Sequence, residues 1–213
     1  LRIGLTVGAV SVRVSSETAL RPLGPDGTPM PGSPLALFWT IVADGPALAL
    51  VAADGWRSSR TDLAGFDAPP GGTGRSVDDR PYRGRTYVLR DRTGITAIDQ
   101  VGLESYLAGV VSAEMGRRDS DETEALAAQA VVSRTYAIRN LGKRHADGFD
   151  LSATVVDQVY GGIRADTPLG WTAGRATSGN LPAFRGPPTP PFLVSRRARW
   201  PGRAPRARPP RGP

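Results

Sequence analysis

The segment 99–142 constrains the fold more than any other part of the chain, because it holds two helical patterns joined by a short polar turn. Four apolar residues recur at helical spacing in the first pattern and form one stripe: Leu103, Leu107, Val110 and Val111. The same register, continued by three or four residues, reaches Glu114. A carboxylate therefore lies where the pattern predicts an apolar side chain.

The second helical pattern follows Gly116 and a polar turn. Asp119 and Ser120 can cap this helix, and the acidic residues that come next favour a helix start. Small and apolar residues predict its buried face: Leu126, Ala127, Ala130, Val131, Ala137, Ile138 and Leu141. Gly142 is expected to end it. The sequence thus predicts two helices that face each other through small side chains.

Extended patterns precede the helical pair. The segments with strand-like alternation or apolar runs are 2–15, which divides around Gly8, then 35–42, 47–52, 80–90 and 95–98. Turn residues lie between neighbouring runs at 44–46 and 91–94, so two of these pairs predict hairpins. We therefore predict an α+β fold in which antiparallel strands pack on the helical pair.

The excess of positive charge, +7 in total, lies at the C-terminal end of the chain. Residues 186–213 hold seven arginines, nine prolines and no acidic residue. Without those seven, 20 basic residues remain against 20 acidic ones, so the rest of the chain is formally neutral. We therefore predict no nucleic-acid-binding surface on the folded part.

The same segment, 186–213, has no hydrophobic periodicity and predicts a disordered tail. Two interpretations stay open. The tail is either a basic arm attracted to anionic polymers, or a non-native end produced by a frameshift in a GC-rich gene. The second interpretation agrees with the use of a single lysine among 27 basic residues.

The composition excludes disulfides, thiolate metal sites and metal sites with several histidines. The chain has no cysteine, and its one histidine, His145, falls in a polar turn where we expect it to be exposed. No run approaches the roughly 18 apolar residues that a membrane-spanning helix needs. The sequence opens at Leu1 on a strand-like pattern, which we interpret as a processed or truncated product.

Glu114 is the strongest candidate for chemistry. A carboxyl in an apolar pocket has a raised pKa and can donate a proton near neutral pH, as the general acid of glycoside cleavage does. Neighbouring polar residues could bind a sugar or orient the acid: Ser112, Gln129, Ser133, Arg134 and Tyr136. The alternatives are that Glu114 faces water at the helix end or pairs with Arg134.

No second carboxylate occupies a matched position, since Glu104 lies near the start of the first helix, where it can favour the helix dipole. Glycoside hydrolysis usually needs two carboxylates. A single acid suffices when a hydroxyl of the sugar itself attacks, with the carboxyl acting first as acid and then as base. Glu114 alone is compatible with that reaction.

Three blocks resemble the SpoIID/LytB family, the stage II sporulation protein D domain: GLESYLAGVVSAEM, EALAAQAVVSRTYAIRNLG and GFDLSATVVDQVYGG. They follow the family's order and spacing. The resemblance covers residues 80–185 well and residues 1–79 loosely. It implies a peptidoglycan lytic transglycosylase that cleaves glycan strands between N-acetylmuramic acid and N-acetylglucosamine, chiefly strands without stem peptides, and leaves 1,6-anhydro ends.

The resemblance also implies roles for residues. Glu114 of SAEM matches the family's catalytic glutamate. Other polar residues match two family blocks and are assigned to substrate contact or to holding Glu114, with core and turn packing as the alternative: Gln129, Arg134, Tyr136, Gln158 and Tyr160. Some members hold zinc through cysteines and a histidine just before QVYGG. Because SATVVD stands there in this chain, we expect no metal and no cofactor.

The family's serine-cysteine-glycine-glycine segment has no counterpart after Arg185. We therefore divide the chain into an N-terminal β-rich region, 1–79, a SpoIID-like catalytic region, 80–185, that is C-terminally incomplete, and the tail, 186–213. The resemblance implies an extracytoplasmic location at the cell wall. Two alternatives to the enzyme stay open: a non-catalytic wall binder that enhances a cell-wall amidase, and an inactive truncated family member.

Overall fold

The computed structural model describes residues 1–67, 74–116 and 118–182 of the chain. Within these ranges the fold is α+β, as the sequence predicts, and consists of two five-stranded sheets and three α-helices. The strands are β1 (Arg2–Ala9), β2 (Ser11–Leu20), β3 (Ala36–Asp44), β4 (Ala47–Ala52), β5 (Leu63–Phe66), β6 (Arg75–Val77), β7 (Arg80–Tyr82), β8 (Arg85–Arg90), β9 (Ile95–Gln100) and β10 (Leu151–Ser152). The helices are α1 (Leu103–Met115), α2 (Thr123–Arg139) and α3 (Pro168–Ala176).

The two sheets have the strand orders β10-β1-β9-β8-β5 and β4-β3-β2-β6-β7. All neighbouring strands are antiparallel except β1 and β10, which run parallel with Ile3 opposite Leu151. The predicted division into two strands is confirmed, but it falls at Val10 and not at Gly8: β1 ends at Ala9, β2 begins at Ser11, and the two strands join different sheets. The two predicted hairpins are also confirmed as the pairs β3–β4 and β8–β9.

The prediction of one continuous strand over 80–90 is wrong. The chain leaves the second sheet after β7 and enters the first sheet at β8, with Gly84 between them. Gly84 lies so close to β9 that a Cβ atom there would be 2.2 Å from the carbonyl oxygen of Gln100. A side chain at this crossing would clash with the neighbouring backbone, and glycine avoids that clash.

The helices share the apolar core of the sheets. One cluster of buried residues includes Ile3 of β1, Leu107 and Val110 of α1, and Ala137 of α2. A smaller cluster fills the space between the three helices: Val111, Leu126, Ala130 and Ala173. The predicted helical faces are thus largely confirmed, whereas Leu141 is exposed because α2 ends at Arg139.

Both sheets take strands from either side of the predicted boundary between residues 79 and 80, and this boundary stays a prediction. The predicted tail, 186–213, lies outside the described residues. Among the residues that are described, none of the helices has the length and apolar character needed to cross a bilayer. His145 is exposed, as expected.

Candidate active site around Glu114

Glu114 lies in the last turn of α1, half-buried between α2 and the loop 157–161 that follows β10. Its Oε2 atom accepts a hydrogen bond of 2.7 Å from the side-chain amide of Gln129 on α2. Its Oε1 atom accepts one of 3.3 Å from the backbone N–H of Val159. Both carboxylate oxygens therefore receive a neutral donor, one from each neighbouring element.

Burial raises the pKa of Glu114 above its ordinary value of 4.5, and the hydrogen bonds from Val159 and Gln129 oppose this rise only in part. Burial acts in this direction because it disfavours the charged form, whereas both donors favour it. Among the described residues, no other carboxyl contributes to this shift. The site can therefore hold Glu114 in the protonated state while still supporting the carboxylate.

The orientation of Gln129 is fixed from its own helix. The Nε2 atom that donates to Glu114 also donates to Ser133 Oγ, at 3.2 Å, one turn further along α2. Ser133 is fully buried, so its hydroxyl is a fixed reference point. The two hydrogens of the Gln129 amide are thus used by Ser133 and Glu114, and the bond to Ser133 keeps the other hydrogen directed at the carboxylate.

Arg134 pairs with Glu104 and not with Glu114, which excludes one of the alternatives for Glu114. Its Nε and Nη2 atoms donate to the two carboxylate oxygens of Glu104 at 2.9 and 2.7 Å. Further bonds reach the carbonyl of Gly174 and the hydroxyl of Thr177, at and just beyond the end of α3. The arginine is 1% exposed and ties the three helices together.

The loop 157–161 is held at its first residue by Asp157, whose side chain is fully buried. Burial would raise the pKa of this carboxyl, but hydrogen bonds from Lys143, the Ser152 N–H, Arg144 and Tyr136 outweigh it and hold the pKa at about 2. Asp157 is therefore ionised at any pH at which the protein would work.

Tyr160 holds the other end of the loop. Its hydroxyl donates to Asp99 Oδ2 at 2.9 Å, and its ring packs against Tyr106 of α1 at a centroid distance of 5.0 Å. The ring also covers Gly109, where a Cβ atom would lie 2.7 Å from the ring carbon Cε2. The loop can approach α1 this closely only because α1 has no side chain at that position.

Asp99 differs from Asp157 although both carboxylates are buried. Burial raises the pKa of Asp99 to about 6, and the hydrogen bond from Tyr160 and the positive charge of Arg75 offset only part of that rise. Arg75 is itself buried, which lowers the pKa of its guanidinium to about 10. The carboxyl at one end of the loop, Asp157, therefore has a lowered pKa, whereas the carboxyl at the other end, Asp99, has a raised one.

Gln158 is fully buried under the loop and accepts a hydrogen bond of 3.1 Å from the hydroxyl of Tyr106. The pKa of Tyr106 is raised by burial and, to a smaller degree, by the negative charge of Glu114. Tyr106 stays a neutral donor throughout the physiological pH range.

The predicted site residues thus separate into three groups. Gln129 contacts Glu114 directly. Tyr136, Gln158 and Tyr160 contact the loop that carries the Val159 N–H, or belong to that loop. Ser112 and Arg134 face α3, since the hydroxyl of Ser112 lies 2.8 Å from that of Thr167, the residue before α3. A direct contact of any of these six residues with substrate stays a prediction.

Several contributors do not belong to the predicted site, among them the Val159 N–H, Asp157 and Asp99. A backbone donor has no signature in the residue type. Asp157 does have one, because it is the single charged residue in the segment 151–162. Asp99 is the single charge in the buried part of β9, and that pattern also marks it.

In the ranges that the structure describes, no group of three or more His, Asp or Glu side chains is placed to hold a metal ion.

The family model SpoIID, described as "Stage II sporulation protein", matches residues 91–181. This match confirms the resemblance given by the three sequence blocks, and it spans Glu114, the helices α1 and α2 and the loop 157–161. The family supports a sporulation-associated role that concerns the cell wall. Comparisons with the curated proteins and with the solved structures give no significant match.

Proposed function

Since residues 91–181 form a SpoIID family domain, we propose that this protein is a peptidoglycan lytic transglycosylase with Glu114 as its single acid and base. The observation that carries the proposal is the half-buried carboxyl of Glu114 with a raised pKa and two neutral hydrogen-bond donors. Its substrate would be the glycan strand of the cell wall, so we also propose an extracytoplasmic location.

The proposed reaction needs only one carboxyl. Protonated Glu114 donates its proton to the glycosidic oxygen between N-acetylmuramic acid and N-acetylglucosamine, and the bond from that oxygen to C1 of the muramic acid breaks. The resulting carboxylate accepts the proton of the C6 hydroxyl, whose oxygen bonds to C1. The products are a free 4-hydroxyl and a 1,6-anhydro end, and Glu114 is protonated again without any water being consumed.

The neutral partners of Glu114 support both halves of this cycle. Burial favours the protonated acid that begins the reaction. The donors Gln129 and Val159 then stabilise the carboxylate formed midway, because both bonds strengthen when the acceptor becomes charged. Neither donor brings a positive charge that would hold Glu114 permanently ionised. A general acid and base of this kind contributes about 10²- to 10⁴-fold to the rate.

The test is to incubate the full chain with glycan strands freed of stem peptides and to analyse the products by mass spectrometry. We expect 1,6-anhydro ends, which are lighter than hydrolytic ends by one water. Glu114→Gln should lower the cleavage rate about 10²- to 10⁴-fold. Glu124→Gln, the same substitution at an exposed position of α2, is the matched control and should cleave like the parent chain.

Three results would contradict the proposal. Hydrated reducing ends would mean that water is the nucleophile. Unchanged activity of Glu114→Gln would remove Glu114 from the chemistry. Binding to isolated sacculi without any cleavage would favour the non-catalytic role, in which the protein binds the wall and enhances a cell-wall amidase.

A further inference from the structure

The buried carboxylate of Asp157 lies at the centre of a cluster of donors that is separate from Glu114. We propose that Asp157 is a positioning residue, which holds the loop 157–161 so that the Val159 N–H points at the carboxyl of Glu114. This inference rests on the proposed function only for its effect on catalysis. The positioning itself is a statement about geometry and can be tested without any substrate.

Four donors from three neighbouring segments converge on Asp157. Its Oδ1 atom accepts from the Tyr136 hydroxyl at 3.0 Å and from Lys143 Nζ at 2.5 Å. Its Oδ2 atom accepts from Arg144 Nε at 3.0 Å and from the Ser152 N–H at 2.9 Å. These donors belong to α2, to the turn after α2 and to β10.

The cluster connects directly to the site because Val159 is only two residues further along the chain. Two residues of chain span at most about 7 Å, so a fixed Asp157 limits the positions that the Val159 N–H can reach. Tyr160 fixes the other side through Asp99 and through the close contact with Gly109. Val159 lies between these two fixed points, and its N–H bonds to Glu114 at 3.3 Å.

The strength of this arrangement comes from charge. Two cations, Lys143 and Arg144, face one buried carboxylate, and hydrogen bonds between ionised groups are about twice as strong as neutral ones. The side chains of Lys143 and Arg144 are 39% and 28% exposed, so each can be changed without burying an unpaired charge. Lys143 is also the single lysine of the sequence.

The test follows the backbone amide of Val159 by NMR while Glu114 is titrated in the full, nitrogen-15-labelled chain. In the parent chain the Val159 amide proton should shift as Glu114 ionises, because its hydrogen bond strengthens. Glu114→Gln should abolish this response and so identify its source. Asp157→Asn should remove most of the response and speed hydrogen exchange of the Val159 amide about tenfold.

Matched variants distinguish a loss of positioning at Val159 from a general loss of folding. Asp147→Asn makes the same change at an exposed position nearby and should keep the full response. Lys143→Gln should weaken the response, and Lys143→Arg should retain it, which keeps the test valid if Asp157→Asn does not fold. An unchanged Val159 response in both Asp157→Asn and Lys143→Gln would overturn the proposal.

Cleavage assays on the same variants distinguish this proposal from the function itself. If the parent chain cleaves glycan and Asp157→Asn loses kcat with KM retained, both proposals are supported. If no variant cleaves but the Val159 response behaves as expected, the positioning role stands and the transglycosylase does not. If the parent chain cleaves glycan and the Val159 response is unchanged in Asp157→Asn and Lys143→Gln, only the positioning role fails.

Discussion

The two ends of α1 each carry a glutamate that meets α2, and they use it in opposite ways. At the first turn, Glu104 receives both Nε and Nη2 of Arg134 and forms a bidentate ion pair. At the last turn, Glu114 receives one amide N–H from Gln129 and one backbone N–H from Val159. One carboxylate is matched by a buried cation, and the other by neutral donors.

This difference in partner chemistry distinguishes a carboxylate held in an ion pair from the one to which we assign proton transfer. Both oxygens of Glu104 accept from the guanidinium of Arg134, so this carboxylate is taken up by the ion pair. Neutral donors support the carboxylate without abolishing the protonated state, and the burial of Glu114 raises its pKa. The same residue type on the same helix thus serves packing at one end and, as we propose, proton transfer at the other.

The largest effect on glycan cleavage is expected when Glu114 is given the kind of partner that Glu104 has. Gln129→Arg should place a guanidinium beside Glu114, lower the pKa of that carboxyl and hold it ionised. We expect glycan cleavage to fall about 10²-fold or more, because the general acid is lost.

The control for this variant is Ala128→Arg, which adds the same charge at the exposed neighbouring position of α2. Cleavage by Ala128→Arg should stay close to that of the parent chain. If Gln129→Arg cleaved as fast as the parent chain, a neutral partner would not be needed at this end of α1.

A smaller effect is expected from changing Glu104, at the other end of α1. Glu104→Gln leaves the guanidinium of Arg134, which is 1% exposed, without its countercharge. The free energy of unfolding, measured by chemical denaturation, should fall by roughly 2–4 kcal/mol, since an unpaired buried charge is strongly destabilising. Because 37% of the Glu104 side chain is exposed, the expected loss of stability is smaller than that for a fully buried ion pair.

Glu124→Gln is again the matched control, and its stability should change by less than about 0.5 kcal/mol. The sharper readout is the pH–rate profile of the folded fraction. Glu104→Gln should leave the acidic and basic limbs of the profile where they are, because Glu104 takes no part in proton transfer. A shifted profile would mean that the two ends of α1 are not independent.

Much of the fold follows from local patterns in the sequence. The 3.6-residue periodicity of 103–111 predicts α1, the alternation and turn residues predict the hairpins β3–β4 and β8–β9, and the apolar stripe singles out Glu114. These features depend on residues close together in the chain, whose preferences the packing of the molecule does not override.

The partners of the two glutamates could not be predicted in this way. Arg134 lies 30 residues after Glu104, and the Val159 N–H lies 45 residues after Glu114, so each contact depends on how distant elements pack. Spacing alone leaves Arg134 open as a partner of Glu114. In the structure Arg134 instead reaches the first turn of α1, where its guanidinium also donates to the carbonyl of Gly174 on α3.

The division of the continuous 80–90 pattern into β7 and β8 has the same kind of cause. Alternation is uninterrupted through Gly84, and the crossing from one sheet to the other depends on the approach of β9 to that glycine. A glycine inside a strand pattern does mark a close backbone approach or a bend, but it does not identify the neighbouring strand.

The central claim, that Glu114 is held by neutral partners in a state that can donate a proton, is tested most directly by titrating its side-chain carboxyl. Carbon-13 NMR of the full chain, with Glu114→Gln to assign the resonance, gives the midpoint of ionisation. We predict a midpoint above the ordinary value of 4.5, because burial outweighs the bonds from Val159 and Gln129. A midpoint at or below 4.5 would contradict the account.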